Sequence, residues 1–205
     1  MPSIEFTLLA DGSSDAVLIE PLTWLLRQLG CEAANGTWAD LRFLRSPPKD
    51  LRARIEAAVD LYPCDLLFVH RDAEAKPAEA RIAEIDAARD GLPTLAVPVV
   101  PVRMQEAWLL IDEAALRRAA GNPNGRMPLA MPGIDALEGI ADPKAMLHDL
   151  LRQASGLQGR RLKRFIPGRQ TLRLGQLIDD YSALRRLPAF QQLEKQLGGC
   201  LMVMG

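Results

Sequence analysis

Apolar residues in this chain fall into two rhythms, short unbroken runs and longer stretches spaced by three or four, and their alternation predicts strands and helices in turn. Residues 4–10 (IEFTLLA) predict a first strand, and Asp11-Gly12-Ser13-Ser14 a turn with a hydroxyl able to cap a helix. Leu18, Leu22, Leu25, Leu26 and Leu29 predict a helix over 15–29, ended by Gly30. Residues 38–44 (WADLRFL) read as a second strand, and Pro47-Pro48 separates it from a helix over 49–61 whose Arg52, Arg54, Glu56 and Asp60 read as a solvated face. The run Leu66 to Val69 is too short for a buried helix and predicts a strand covered on both faces. An Ala- and Glu-rich helix over 77–90 follows, then a strand over 94–100 whose Pro98 places it at a sheet edge or a bulge.

Four strands alternating with helices imply an α/β fold with a mostly parallel sheet, Rossmann-like, flanked by helices on both faces. Residues 105–119 predict a further helix with Trp108, Leu109, Ile111 and Leu116 on its buried face. Pro123, Gly125, Pro128, Pro132 and Gly133 then mark 121–142 as a long irregular connection. Helices over 143–154, 172–184 and 189–197 complete the reading as a C-terminal helical subregion, packed on the sheet or lying over its crevice.

Composition narrows the class. The chain has 205 residues, 48% hydrophobic and 25% charged, enough for a sizeable core of Leu, Ala, Val and Ile. A net charge of -1 exerts no global pull on polyanions. Three widely spaced cysteines, Cys31, Cys64 and Cys200, form no disulfide framework and make a reducing cytoplasm the natural compartment. The N-terminal stretch is expected to be neither a signal peptide nor a membrane span. His70 and His148 alone cannot make a zinc cluster, and the GxxxxGK[ST] and GxGxxG phosphate loops are missing from the sequence.

Chemistry concentrates at the strand ends. After Val69 the chain turns polar as His70-Arg71-Asp72-Ala73-Glu74, at the sheet edge where open α/β folds bind ligands. Asp72 and Glu74, two apart, can aim their oxygens at one hard cation; they read equally well as acids opening the next helix. Asp11 belongs to the same edge. Glu106 is either a site acid or a first-turn acid of its helix. From Arg152 to Ile178 there is no acidic residue, while Arg160, Arg161, Lys163, Arg164, Arg169 and Arg173 accumulate around Phe165 and Pro167-Gly168. That tract suits a surface loop facing a phosphate backbone, or one whose charges pair with the acids of the sheet domain.

A strand ending in Asp11-Gly12, a strand ending in Asp72-Ala73-Glu74 and the segment Gln105-Glu106-Ala107-Trp108-Leu109-Leu110 with Asp112 behind it together resemble a known family. This is the toprim-like family catalogued as a domain of unknown function and related to the nuclease half of the OLD proteins. Its members look like strand-EG-helix, a strand ending in DxD, and an EAWLL-D helix. The likeness covers residues 4–120; Asp142-Pro143-Lys144 and Pro188-Ala189-Phe190 are similar to the family's C-terminal part. Asp11 stands where the family has Glu, and Glu74 where it has Asp, so each position keeps a carboxylate with altered reach. The resemblance implies a toprim-like domain over 1–120 with residues 121–205 packed on it.

It further implies Mg²⁺ (or Mn²⁺) held by Asp11, Asp72 and Glu74, proton transfer by Asp11, and Glu106 as a further ligand or base. The implied activity is phosphoryl transfer, a nuclease acting on DNA or RNA, with Arg71 orienting phosphate and Arg160, Arg161, Lys163 and Arg164 holding the strand. The other class it admits is an interaction module that cleaves nothing and docks on a separate ATPase.

Overall fold

The computed structural model describes residues 3–204. Four strands, β1 (Ile4–Leu9), β2 (Ala34–Trp38), β3 (Leu66–His70) and β4 (Ala96–Val99), form one all-parallel sheet in the order β2-β1-β3-β4. Phe6 lies opposite Leu66 and Leu8 opposite Phe68, while Phe68 faces Val97 on the far side, so the central pair is in tight register. β3 is buried along its whole length, as its unbroken apolar run predicted.

Period-two alternation sorts the strand residues between two cores. Ile4, Phe6, Leu8, Leu66, Phe68, Val97 and Val99 join a large cluster with α1 (Ile19–Gln28), α4 (Glu113–Ala119), α5 (Pro143–Ser155), α7 (Gly168–Leu177) and α8 (Pro188–Met204). Leu9, Leu67, Val69 and Ala96 face a smaller cluster under α2 (Leu51–Leu61) and α3 (Ala78–Arg89). α2 buries only Ile55 and Ala58, and α3 only Arg81 and Ile85. In the large core Trp108 meets Phe190 of α8 edge to face at 5.2 Å, so the C-terminal helices share the sheet's core. Each fully buried side chain of this size contributes about 1.5–3 kcal/mol.

Several elements depart from the sequence expectation. The second strand is Ala34–Trp38, not 38–44: the Asp40 carboxylate accepts the Arg42 N–H and caps a 3-10 turn at Leu41–Phe43, which breaks the strand-like pattern there. β2 itself is polar, and at Gly36 a Cβ would stand 2.4 Å from the Phe6 ring, so close packing selects glycine at that point. The helix over 15–29 begins as a 3-10 helix, Ser13–Leu18, and becomes α-helical at Ile19 with Pro21 in its first turn, where the missing N–H costs nothing. Residues 105–119 split into a 3-10 helix, Gln105–Leu109, and α4, because Asp112 accepts the Ala115 N–H at 2.9 Å and starts a new helix. The basic tract is no loop: residues 159–164 form α6 (Gly159–Arg164), and α7 ends at Leu177 rather than at 184. Among the described residues no helix is long and apolar enough to cross a membrane.

Candidate functional site at the carboxyl edge of the sheet

The ends of β1 and β3 meet at a cavity of about 340 Å³ lined by Asp11, Gly12, Asp15, His70, Arg71, Asp72, Glu74 and Arg81. Asp11 and Gly12 follow β1, and a parallel sheet necessarily brings them to the edge where β3 releases Arg71 and Asp72. The chain after β3 is pinned by three backbone bonds, Arg71 N–H to Val99 O, Ala73 N–H to Pro101 O and Glu74 N–H to Arg103 O. Glu74 and Arg103, joined by the last of these, both adopt positive φ (54° and 65°), a left-handed backbone that costs a non-glycine residue about 1–2 kcal/mol.

Two residues without a role in the sequence expectation organise the acids. Asp15 is buried; its Oδ2 accepts the Gly12 N–H at 2.8 Å, and its Oδ1 accepts the Ser14 hydroxyl and the Gln105 side-chain amide. Gln105 also donates its backbone N–H to Asp72 Oδ1 at 2.9 Å. One glutamine thus clamps a carboxylate from each of the two strand ends. The DGSSD spacing carried a signal for Asp15, because a carboxylate three residues after a helix-opening position reaches back to that backbone N–H. No local signal existed for Gln105, whose partner lies ninety positions away.

The predicted metal ligands line one cavity, and two of them turn to arginines. Asp11 pairs with Arg54 Nη1 and with Arg71 Nε, the latter at 3.3 Å, and Glu74 turns to Arg81 Nη2 at 3.1 Å. Glu84 bridges Arg71 and Arg81, with both contacts at 2.9 Å, closing a chain of alternating charge along one wall. Arg54 therefore leaves the solvated face assigned to its helix and becomes a partner of Asp11 and of Ala10 O. Among the described residues no group of three or more His, Cys, Asp or Glu side chains is placed to hold a metal ion.

Asp72 is the exception to this neutralisation. Burial, then the charges of Glu106, Asp15 and Glu74, push its carboxyl up to about 7 against the partial relief of the Gln105 N–H. His70 beside it is fully buried, and burial lowers its pKa. Its Nδ1 lies 3.0 Å from Val99 O, which can only accept, so Nδ1 carries the hydrogen and Nε2 faces Asp72 Oδ1 at 3.5 Å as an acceptor. Near neutral pH a neutral His70 therefore faces a carboxyl close to its own pKa.

Glu106 stands behind the cavity wall rather than on it, buried under α5 with Lys144 Nζ 3.4 Å from its Oε1, and it acts on Asp72 through charge. Arg71 lines the cavity as expected. Arg160, Arg161, Lys163 and Arg164 do not line it; they are exposed on α6, and none forms an ion pair among the described residues. The alternative that they pair with acids of the sheet domain is thereby set aside. Set against family models, curated protein sequences and solved structures, the chain finds no match in any of the three.

Proposed function

We propose that this crevice binds a phosphodiester and transfers its phosphoryl group to water, a nuclease-type hydrolysis in keeping with the toprim resemblance. The observation that carries the reading is the meeting of an unrelieved carboxyl, Asp72, with two arginines, Arg71 and Arg81, in one polar cavity at the carboxyl edge of a parallel sheet. The donor set is all oxygen, which suits Mg²⁺ or Mn²⁺. Of the expected trio only Asp72 is free of an arginine among the described residues, so it is the residue that would hold the cation, which when bound would neutralise charge on the phosphate. Glu74 and Asp11 join it only by leaving their arginines.

The chain's own groups have distinct tasks in this reading. Arg71 reaches a phosphate oxygen by exchanging Asp11 or Glu84 for it, since a guanidinium binds both anions through the same charge-assisted geometry. Asp11, once released by Arg54 as well as by Arg71, becomes a carboxylate able to take a proton from water. His70 Nε2, an acceptor facing Asp72 Oδ1, orients that carboxyl in the cavity.

A second reading, a module that cleaves nothing and docks on an ATPase, is favoured by one observation: Arg54, Arg71 and Arg81 already neutralise Asp11 and Glu74 from within. Hydrolysis of bis(p-nitrophenyl) phosphate, a small diester that needs no strand-binding groove, separates the two. The enzyme reading expects Mn²⁺- or Mg²⁺-dependent turnover that falls at least ~100-fold in Asp72→Asn, the scale of losing one electrostatic element of a site. Absence of both turnover and metal-induced thermal stabilisation in the native protein would leave the module reading standing.

A further inference from the structure

A second cavity, of about 230 Å³, opens on the β2 side of the crevice, and Asp11 lines both. Arg42, Lys49 and Arg54 line it together with Asp11 and Asp40, whereas acids outnumber cations in the first crevice. Arg42 donates from Nε and Nη2 to the two Asp40 oxygens, each at 2.8 Å, and its guanidinium carbon lies 4.8 Å from the centre of the Trp38 ring. One face of the guanidinium thus rests on the indole, while the side chain remains 60% exposed.

The support beneath is rigid. Ala39 N–H donates to Leu8 O, Leu41 is buried in the smaller core, and the Tyr62 hydroxyl donates to Asp40 O at 3.2 Å. A planar cation fixed by a bidentate partner and an aromatic ring loses little freedom when a flat ring settles on it. Phe43, 65% exposed, sits next to it in sequence, and the exposed Arg45 and Lys49 follow, neither in an ion pair among the described residues. Aromatic and basic side chains in alternation make the pattern of a surface that stacks bases and holds phosphates.

A second basic region packs against the element that carries Asp15. α7 packs on the 3-10 helix that carries Asp15, so closely that a Cβ on Gly175 would stand 2.5 Å from Val17. Arg169 and Arg173 are exposed on α7, beside basic α6. The element that carries Asp15 therefore packs against a helix with exposed cations.

We propose that single-stranded nucleic acid crosses the molecule with one nucleobase stacked on the Arg42 guanidinium and adjoining phosphates at Arg45 and Lys49. The inference rests on the phosphodiester reading above and adds the strand that carries the diester. A duplex keeps its base faces stacked inside the helix and cannot offer one to Arg42, so the geometry selects a single strand.

Fluorescence anisotropy of a labelled oligothymidylate of about ten nucleotides, in EDTA so that no metal-dependent hydrolysis occurs, tests the subsite. Arg42→Ala and Arg42→Lys are both expected to weaken binding about tenfold, because lysine keeps the charge and lacks the plane. Lys49→Ala is expected to reduce the salt slope by about one, and Arg42→Lys to leave it unchanged. Native-like affinity in Arg42→Lys, equal affinity for a hairpin duplex, or no binding by the native protein each overturns the proposal. Diester hydrolysis without oligonucleotide binding would sink the subsite alone, and binding without hydrolysis would sink the enzyme reading alone. Thermal melts of each variant identify any loss that comes from unfolding, and Lys49→Ala, an exposed position, keeps the test alive if Arg42→Ala unfolds.

Discussion

Asp72 carries an electrostatic load that its fold does not relieve, and this has a measurable pH signature. Its folded pKa of about 7 lies above the ordinary value of 3.8, so between these limits the native state binds more protons than the unfolded chain. Stability through this group is full at low pH and declines as pH rises from about 4 to about 7. Asp72→Asn keeps an oxygen for the Gln105 N–H and removes the charge. It is expected to match the native protein near pH 4 and to exceed its stability near pH 8 by on the order of 2 kcal/mol, less than the full shift implies because the side chain is 27% exposed. Urea unfolding of both proteins across that range checks it. His70, lowered by burial, works in the opposite sense below about 6.5. At this scale the sequence revealed the positions of acids and not their partners. Asp72 and Glu74 were legible because an apolar run ends abruptly in charge; the turn of Glu74 toward Arg81 and the bridging by Gln105 depend on residues brought together only by the finished fold.

Among the elements, periodicity identified those whose pattern was set by burial and missed those set by a single neighbour. β1, β3, β4 and α5 fall close to their expected spans because each buries a regular stripe or run, and α2 and α3 do so because prolines and a glycine bound them. β2 escaped because its sequence, ANGTW, is chosen partly by the Phe6 ring over Gly36, a neighbour that no local window contains. α6 escaped because it buries no residue and so shows no apolar period. That helix presents Arg160, Arg161, Lys163 and Arg164 to solvent, and neutralising all four to Gln should leave the melting temperature nearly unchanged. Oligonucleotide affinity should then fall for every sequence alike, with the salt slope flattened by about one for each phosphate that is no longer neutralised. A variant whose slope equals that of the native protein would show that α6 touches no phosphate.

For the molecule as a whole, the fold class followed from alternation, since strand-like segments separated by helical stretches admit few parallel arrangements even with the second strand displaced from its expected span. The sharing of one core between the sheet and the C-terminal helices was not legible, because it rests on pairs such as Trp108 with Phe190 across eighty residues of chain. The two sides of the sheet are unequal, and the inequality falls on the site. Arg54 and Arg81, which restrain Asp11 and Glu74, stand on α2 and α3, helices that each bury two residues against the smaller core. Asp15 and Gln105, which hold the carboxylates in place, belong to the side anchored by α1, α5 and α8. Thinly anchored helices open at lower free energy than the rest of a domain, so amide exchange is expected to be faster in α2 and α3 than in α1 and α5. An excursion of that layer would lift the restraining cations off the acids while the acids stay where they are, making the crevice an intermittently uncovered anionic surface whose accessibility is governed by the weaker half of the protein.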